Sequence, residues 1–239
     1  MVSLSEFVLK INFKNDNQVI NLHNVDPADI DDVLLKIQRS FDIRFEQADL
    51  DHVKTFGNLC DSVVKKLKDR QSDNYCTTQH AFYMLRNAIN VSVDVNKEFI
   101  KPQTKLCDIF PRDTRLQVIA EIENELGFKM KLLAPKPTIV FTLSLILGAS
   151  LVGLYFSLVI GAIGALLAIT GLTLANKFGK EMQVKTLGEL AEKISREHYR
   201  NCRRNAQTVN RNEVAEKVKQ LFTHELYLEP QVVRREAKF

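Results

Sequence analysis

The chain has 239 residues, 33 of them basic and 29 acidic, with a formal net charge of +4 at pH 7 and a mean hydropathy of −0.13. That length allows one or two domains, and so even a charge balance gives no electrostatic ground for a nucleic-acid binder. The mean hydropathy averages unlike parts, because residues 137–176 are 40 consecutive positions without a charged side chain, set between polar flanks. Four cysteines (Cys60, Cys76, Cys107, Cys202) stand far apart with no C-x-x-C pair. That pattern suits buried thiols in a reducing compartment better than a disulfide framework. Residues 1–24 mix polar and apolar side chains and carry no secretory signal pattern.

In chain order, Phe7, Leu9, Ile11 and Phe13 alternate, Asn15-Asp16-Asn17 offers a turn and Val19 to Leu22 can return, which predicts a β-hairpin. Residues 25–70 open with a capping Asp26, Pro27 in the first turn and acids at Asp29, Asp31 and Asp32. Val33, Leu34, Ile37 and Phe41 then follow at helical spacing. A second helix starts after Thr55, with Phe56, Leu59, Val63 and Leu67 on one face. In residues 76–136, a helix over 76–90 turns Phe82, Leu85 and Ile89 inward, residues 100–111 form an anchored loop, and 115–126 is the next helix. Residues 177–205 hold a further helix and the densest basic run, Arg196, Arg200, Arg203, Arg204 and, just beyond, Arg211. Residues 210–239 open on a helix over 213–226, with Val214, Val218, Leu221 and Phe222 apolar.

Two stretches echo each other. Val53-Lys54-Thr55-Phe56-Gly57-Asn58-Leu59 returns as Val184-Lys185-Thr186-Leu187-Gly188-Glu189-Leu190, and Phe41-Asp42-Ile43-Arg44-Phe45 has a counterpart in Leu126-Gly127-Phe128-Lys129-Met130. Phe41 precedes Val53 by 12 positions, but Leu126 precedes Val184 by 58, so the second copy holds 46 additional residues, the uncharged run among them. A crossing of a hydrocarbon core about 30 Å thick takes roughly 20 apolar residues at 1.5 Å each. The run is therefore long enough for two short crossings, 138–155 and 157–176, with a tip between Gly153 and Gly161. If its flanks complete one repeat unit, both ends emerge on the same side. Lys129, Lys131 and Lys136 precede the run, and Lys177, Lys180 and Lys185 follow it, so the positive-inside rule places both ends and both termini in the cytoplasm.

Ser144 and Gly148, and then Ser157, Gly161 and Ala165, recur every four residues and would let helices approach closely in lipid, within the hairpin or between copies as a homo-oligomer. The plainer alternative is an apolar hairpin buried in a soluble core. The run contains no Asp, Glu, Lys, Arg or His, which argues against an ion or proton pathway.

These units resemble acyl carrier proteins, small helical bundles in which a serine opening the second helix carries phosphopantetheine. Residues 78–130 with 181–199 resemble one complete carrier interrupted before its last helix, and 26–68 resemble the second half of another. Residues 210–239, through Val214-Ala215-Glu216-Lys217-Val218 and Ala237-Lys238-Phe239, resemble a carrier's opening. That stretch is either a truncated third unit or a permuted first helix for residues 26–68. Permutation is preferred because chain ends commonly lie close together. The implied fold is mainly α: carrier-like bundles, a transmembrane hairpin and the N-terminal β-hairpin.

The resemblance also shows what is missing. The prosthetic serine falls at Pro27 in the first unit and Arg112 in the second, neither of which has a hydroxyl. Thr114 is the nearest hydroxyl and lacks the expected flanks. The expectation is a non-catalytic, membrane-anchored docking or scaffold protein without cofactor or metal, with protein partners among acyl-chain or lipid enzymes. An active carrier modified at a non-standard hydroxyl and an oligomer assembled through its hairpins are the alternatives.

Docking candidates are Asp26, Asp29, Asp31 and Asp32, with Arg112 and Arg115 in the second unit. Acids in a first turn also favour the helix dipole by about 0.3–1 kcal/mol each without any partner. Contacts with membrane lipids fall to Lys136, Lys177, Lys180, Arg200, Arg203 and Arg204, each contributing about 1 kcal/mol near an anionic surface. No aromatic stacking set accompanies the basic run, so RNA is not expected. His198 and Cys202 are four apart, but a pair without a third ligand makes a poor metal site.

Overall fold

The computed structural model describes residues 22, 25–67, 76–93, 95–205 and 208–239. The expected β-hairpin lies outside the described residues except for Leu22. The chain is mainly helical. Among the described residues its α-helices are α1 (Pro27–Phe41), α2 (Gln47–Leu50), α3 (Phe56–Lys66), α4 (Thr77–Val93), α5 (Leu106–Ile109), α6 (Arg115–Leu126), α7 (Pro137–Phe156), α8 (Leu158–Lys177), α9 (Leu187–Glu197), α10 (Tyr199–Cys202) and α11 (Arg211–Glu225). Two short strands, β1 (Leu133–Ala134) and β2 (Glu181–Met182), pair antiparallel. Contacts divide the chain into one unit of residues 1–83 with 191–239 and another of residues 84–190.

In the first unit, α1, α3 and α11 share one core. Ile30, Val33, Ile37 and Phe41 of α1 join Phe56, Leu59 and Val63 of α3 and Val214, Val218, Leu221 and Phe222 of α11. Asp26 caps α1 by accepting from the Ala28 N–H at 2.9 Å, and Thr55 caps α3 by accepting from the Asn58 N–H at 3.2 Å. Rings close the core, with Phe56 to Phe222 at 5.4 Å and Phe222 to Phe239 at 5.9 Å between centroids. The C-terminal segment crosses the start of α3. The Phe239 N–H donates to Lys54 at 3.4 Å, the Phe56 N–H to Ala237 at 2.8 Å and the Gly57 N–H to Arg235 at 2.8 Å. A Cβ on Gly57 would lie 2.8 Å from the Arg235 carbonyl oxygen, so the crossing requires glycine there.

The second unit repeats this crossing with other residues. The Leu106 N–H donates to Lys185 at 2.9 Å, the Leu187 N–H to Thr104 at 3.0 Å and the Gly188 N–H to Pro102 at 2.8 Å. Relative to the first unit, one strand of the crossing is shifted by 133 positions and the other by 131 at every bond. The burial pattern follows the same shift: Leu85, Ala88, Ile89 and Ile100 are buried, as are Val218, Leu221, Phe222 and Val233. The caps agree too, since the Thr186 hydroxyl accepts from Glu189 N–H at 3.2 Å. Helices α1 and α6 end alike. Each stops at a left-handed residue, Asp42 (φ 51°) and Gly127 (φ 77°). In each, a side chain three residues before the helix end reaches past the turn: Gln38 accepts from the Phe45 N–H at 3.0 Å, and Glu123 from the Met130 N–H at 2.8 Å.

The two units differ after that turn. The first continues into α2, a single turn of helix, before reaching α3. In the second, β1 leads into α7 and α8, and β2 leads out toward α9. Leu133 pairs with Met182 and Ala134 with Glu181, so the hairpin leaves and re-enters the module side by side. Both arms are 20 residues long and apolar enough to cross a bilayer. They are not core helices here: Tyr155 is 90% exposed, Phe156 83% and Leu158 76%.

Candidate functional site

The seam between α7 and α8 is built from residues with little or no side chain. A Cβ on Gly161 would lie 2.5 Å from the Leu154 nitrogen, and one on Gly171 would lie 3.0 Å from Leu143 Cδ2. Gly164 faces Ser150, and Ala168 is buried. Positions 161, 164, 168 and 171 keep the three- and four-residue spacing of a helical packing face. Of the expected packing residues, Gly161 belongs to this seam, and Ser157 is the break between the arms. Gly148 does not belong, since nothing lies within 4 Å of where its Cβ would be, and Ser144 is exposed. Four-residue spacing within one arm set that expectation, but which face meets the second arm depends on how the turn at Ser157 orients them.

At the foot of the hairpin lies a cleft of about 360 Å³ with Arg112, Lys136 and Lys180 on its rim. Its apolar wall comes from Ile139 at the start of α7 and from Gly171, Ala175 and Phe178 near the end of α8. Gly179 allows the closure, because a Cβ there would lie 2.6 Å from the Ala134 carbonyl oxygen. Arg112 is 2.8 Å from Glu181 in an exposed ion pair. Arg115 is buried and donates from Nε to the Phe110 carbonyl at 3.0 Å and from its other end to the Lys180 carbonyl. It therefore cannot serve as the exposed docking charge expected of it: its guanidinium braces the loop before α6 against the chain leaving α8.

Pro27 and Arg112, the positions expected to match a prosthetic serine, offer no hydroxyl. Pro27 is the first residue of α1, and Arg112 stands exposed on the loop before α6. Thr114 is exposed at the N-terminus of α6 and makes no capping bond. On α1, Asp26 works as a cap and Asp29 and Asp32 are exposed, while Asp31 is half-buried and partnered.

The basic run separates into distinct roles. Arg203 is buried and overturns its assignment to the membrane surface. It meets Glu213 at 2.9 Å, the Tyr199 hydroxyl at 3.1 Å and the Thr208 hydroxyl at 2.8 Å. Glu213 also accepts from the Thr77 N–H at 2.7 Å and the Thr77 hydroxyl at 2.9 Å. Arg200 remains exposed, paired to Asp42 at 3.0 Å, and Arg204 is exposed with a partner. Beside this network, Lys217 is buried and donates to Ser195 at 2.7 Å and Thr78 at 2.8 Å. Burial lowers its pKa.

Cys60 and Cys202 are buried, and burial raises both thiols to about 12, but Cys76 and Cys107 are exposed, against the expectation of buried thiols throughout. Among the described residues no three His, Cys, Asp or Glu side chains cluster as metal ligands. Lys136, Lys177 and Lys180 all stand at the hairpin foot, Lys177 over the Phe178 ring at 5.8 Å. The periodicity of the chain gave no sign that Arg112 would join them, because β1 and β2 bring that about. Compared with protein-family profiles, curated proteins and solved structures, the chain matches none.

Proposed function

We propose that this protein is a membrane-anchored docking or scaffold protein made of two acyl-carrier-like modules, neither of which carries a prosthetic group. The observation carrying this reading is the repeated crossing: one copy is continuous through α2, and the other is opened at the same point by an apolar hairpin pinned at its base. On this reading residues 210–239 supply the permuted first helix of the module containing α1 and α3. Pro27 and Arg112 at the serine positions favour docking over thioester carriage. The exposed Asp29 and Asp32 of α1 are the surface offered to partners, acyl-chain or lipid enzymes by the carrier resemblance. Six flanking lysines orient both hairpin ends and both termini toward the cytoplasm.

Two measurements test this. In sealed inverted and right-side-out vesicles, with Cys76 and Cys107 replaced by serine, cysteines introduced singly at Lys131 and Lys177 should react with an impermeant maleimide from the same, cytoplasmic side. Labelling from opposite sides overturns the hairpin. Incubation with a phosphopantetheinyl transferase should leave the intact mass unchanged. A mass increase mapping to Thr114 would establish an active carrier instead.

A further inference from the structure

We infer that the cleft at the foot of the hairpin is a binding site for an anionic phospholipid. The phosphodiester sits among Arg112, Lys136 and Lys180, and an acyl chain runs along Gly171 and Ala175. This rests on the hairpin being in the membrane, and it adds a selective lipid site to what is otherwise an anchor.

The cleft has one polar and one apolar end, in the order a lipid presents them. Lys136 precedes the first residue of α7, and Gly171 lies six residues before the end of α8. At 1.5 Å per residue the apolar wall extends about 9 Å into the hydrocarbon from the level of the lysines. Gly171 and Ala175 are one turn apart and leave a channel beside the seam. A volume of about 360 Å³ is at the small end for ligand pockets, enough for a headgroup and the start of a chain whose remainder stays in the bilayer.

Charge is complementary to a phosphodiester. Among the described residues, the carboxylate paired to these cations is Glu181, which offsets Arg112 and leaves the lysines in excess. Arg115 is a positioning residue that holds the Lys180 backbone in place.

Comparison of the two copies supports the same conclusion. The exposed acids Asp29 and Asp32 of α1, and half-buried Asp31 between them, correspond to Thr114 just before α6 and to Gln117 and Leu116 on it, and Pro27 corresponds to Arg112. Over residues 111–117 the acid gained is Asp113, opposite Ala28; Glu121, Glu123 and Glu125, opposite Lys36, Gln38 and Ser40, lie farther along α6, away from this helix end. The copy carrying the hairpin has thus exchanged most of the acidic charge at this helix end for a cation, as a surface facing anionic headgroups requires.

The test uses the full-length protein in nanodiscs of phosphatidylcholine and phosphatidylglycerol in equal parts, with retained lipid read by native mass spectrometry after release. The wild type should retain phosphatidylglycerol over phosphatidylcholine. Arg112→Gln/Lys136→Gln/Lys180→Gln should reduce that preference by about a hundredfold, as expected from losing three interfacial cations at about 1 kcal/mol each. Ala175→Phe, which fills the channel and keeps every charge, should reduce it as well. Lys129→Gln/Lys131→Gln/Lys185→Gln removes as much charge from residues outside the cleft and should leave it intact.

Equal retention of both lipids by the wild type overturns the site, as does an equal loss in the second triple variant, which would reveal only general surface attraction. Displacement of the lipid by inorganic phosphate would also overturn it, marking a phosphate site. Failure of the wild type to enter nanodiscs would refute the anchor itself, a separate outcome.

Discussion

Glu213 accepts hydrogen bonds from three places in the chain: Thr77, Tyr199 and Arg203. Its partner Arg203 has a side chain only 4% exposed, so removing the carboxylate strands a buried guanidinium. Breaking a buried pair in this way costs about 3–5 kcal/mol. Glu213→Ala should accordingly lower unfolding stability by about 3 kcal/mol in urea melts followed by circular dichroism, with Glu213→Gln losing less. None of this was legible beforehand, because Arg203 sits in a run of arginines that reads as a solvated face, and the Thr77 it shares through Glu213 lies 136 positions away from Glu213. Helical periodicity reports which face is apolar; it cannot report that a charged residue has found a partner within the fold. Burial also sets the alkaline limit. It raises the thiols of Cys60 and Cys202 from 9.0 to about 12, and the Tyr199 hydroxyl from 10.0 to about 12. Above pH 9 the folded chain therefore binds more protons than the unfolded one, and the stability from these groups, complete below 9.0, is lost as pH rises toward 12. Lys217 acts in the opposite sense, because its folded pKa is lowered from 10.5 and deprotonation there favours folding as pH climbs. Three groups outweigh one, so stability should fall in alkali. In Cys60→Ala/Cys202→Ala the fall should be shallower and begin near pH 10, where Tyr199 takes over. An unaltered slope in urea titrations at successive pH values would refute this assignment.

At the level of elements, the helices were largely readable. The apolar spacing of 115–126 gave α6 at its observed bounds, and Asp26-Pro27 marked the start of α1 to within a residue. The two arms were visible from the length of the uncharged run. What escaped was short or dependent on contact: α2 and α5 are single turns, and β1 and β2 are two residues each, too brief for any period to register. The face of α8 that meets α7 escaped for a related reason, since an arm apolar all round has no amphipathic signal to orient it. The glycines settle it. Gly161→Leu would drive a side chain into the Leu154 backbone, whereas Gly148→Leu meets open space. A cysteine pair at Ser150 and Gly164, whose Cβ positions lie 3.1 Å apart, is within a few tenths of an ångström of disulfide geometry and should crosslink in lipid when Cys76 and Cys107 are serine. Crosslinking should be lost with Gly161→Leu and kept with Gly148→Leu, scored by the mass of blocked free thiols. Equal yields in the two variants would mean that the arms meet on another face.

For the molecule as a whole, the repeated crossing makes the last residues of the chain as important as any core helix. Val233, Ala237 and Phe239 are buried, and the segment donates to or accepts from Lys54, Phe56 and Gly57 across the start of α3. Full burial of one large apolar side chain is worth about 1.5–3 kcal/mol. Losing the segment, with its backbone bonds, therefore removes roughly 5 kcal/mol, a large share of the 5–15 kcal/mol that holds a typical domain together. Deleting residues 233–239 should expose Phe56 and Phe222 and strip hydrogen-exchange protection from α1 and α3. The corresponding crossing at Thr104, Leu106, Lys185 and Leu187 draws on none of the deleted residues, so α6 and the bonds within 84–190 should keep their protection. Restoring the segment as a separate peptide with the sequence of residues 233–239 should recover protection in α1 and α3. A Phe239→Ala peptide should recover less, because the ring that closes against Phe222 at 5.9 Å is gone. Uniform loss of protection throughout the chain would mean that the two copies fold as one cooperative body, and the proposal that the C-terminal segment completes only the module of α1 and α3 would have to be abandoned.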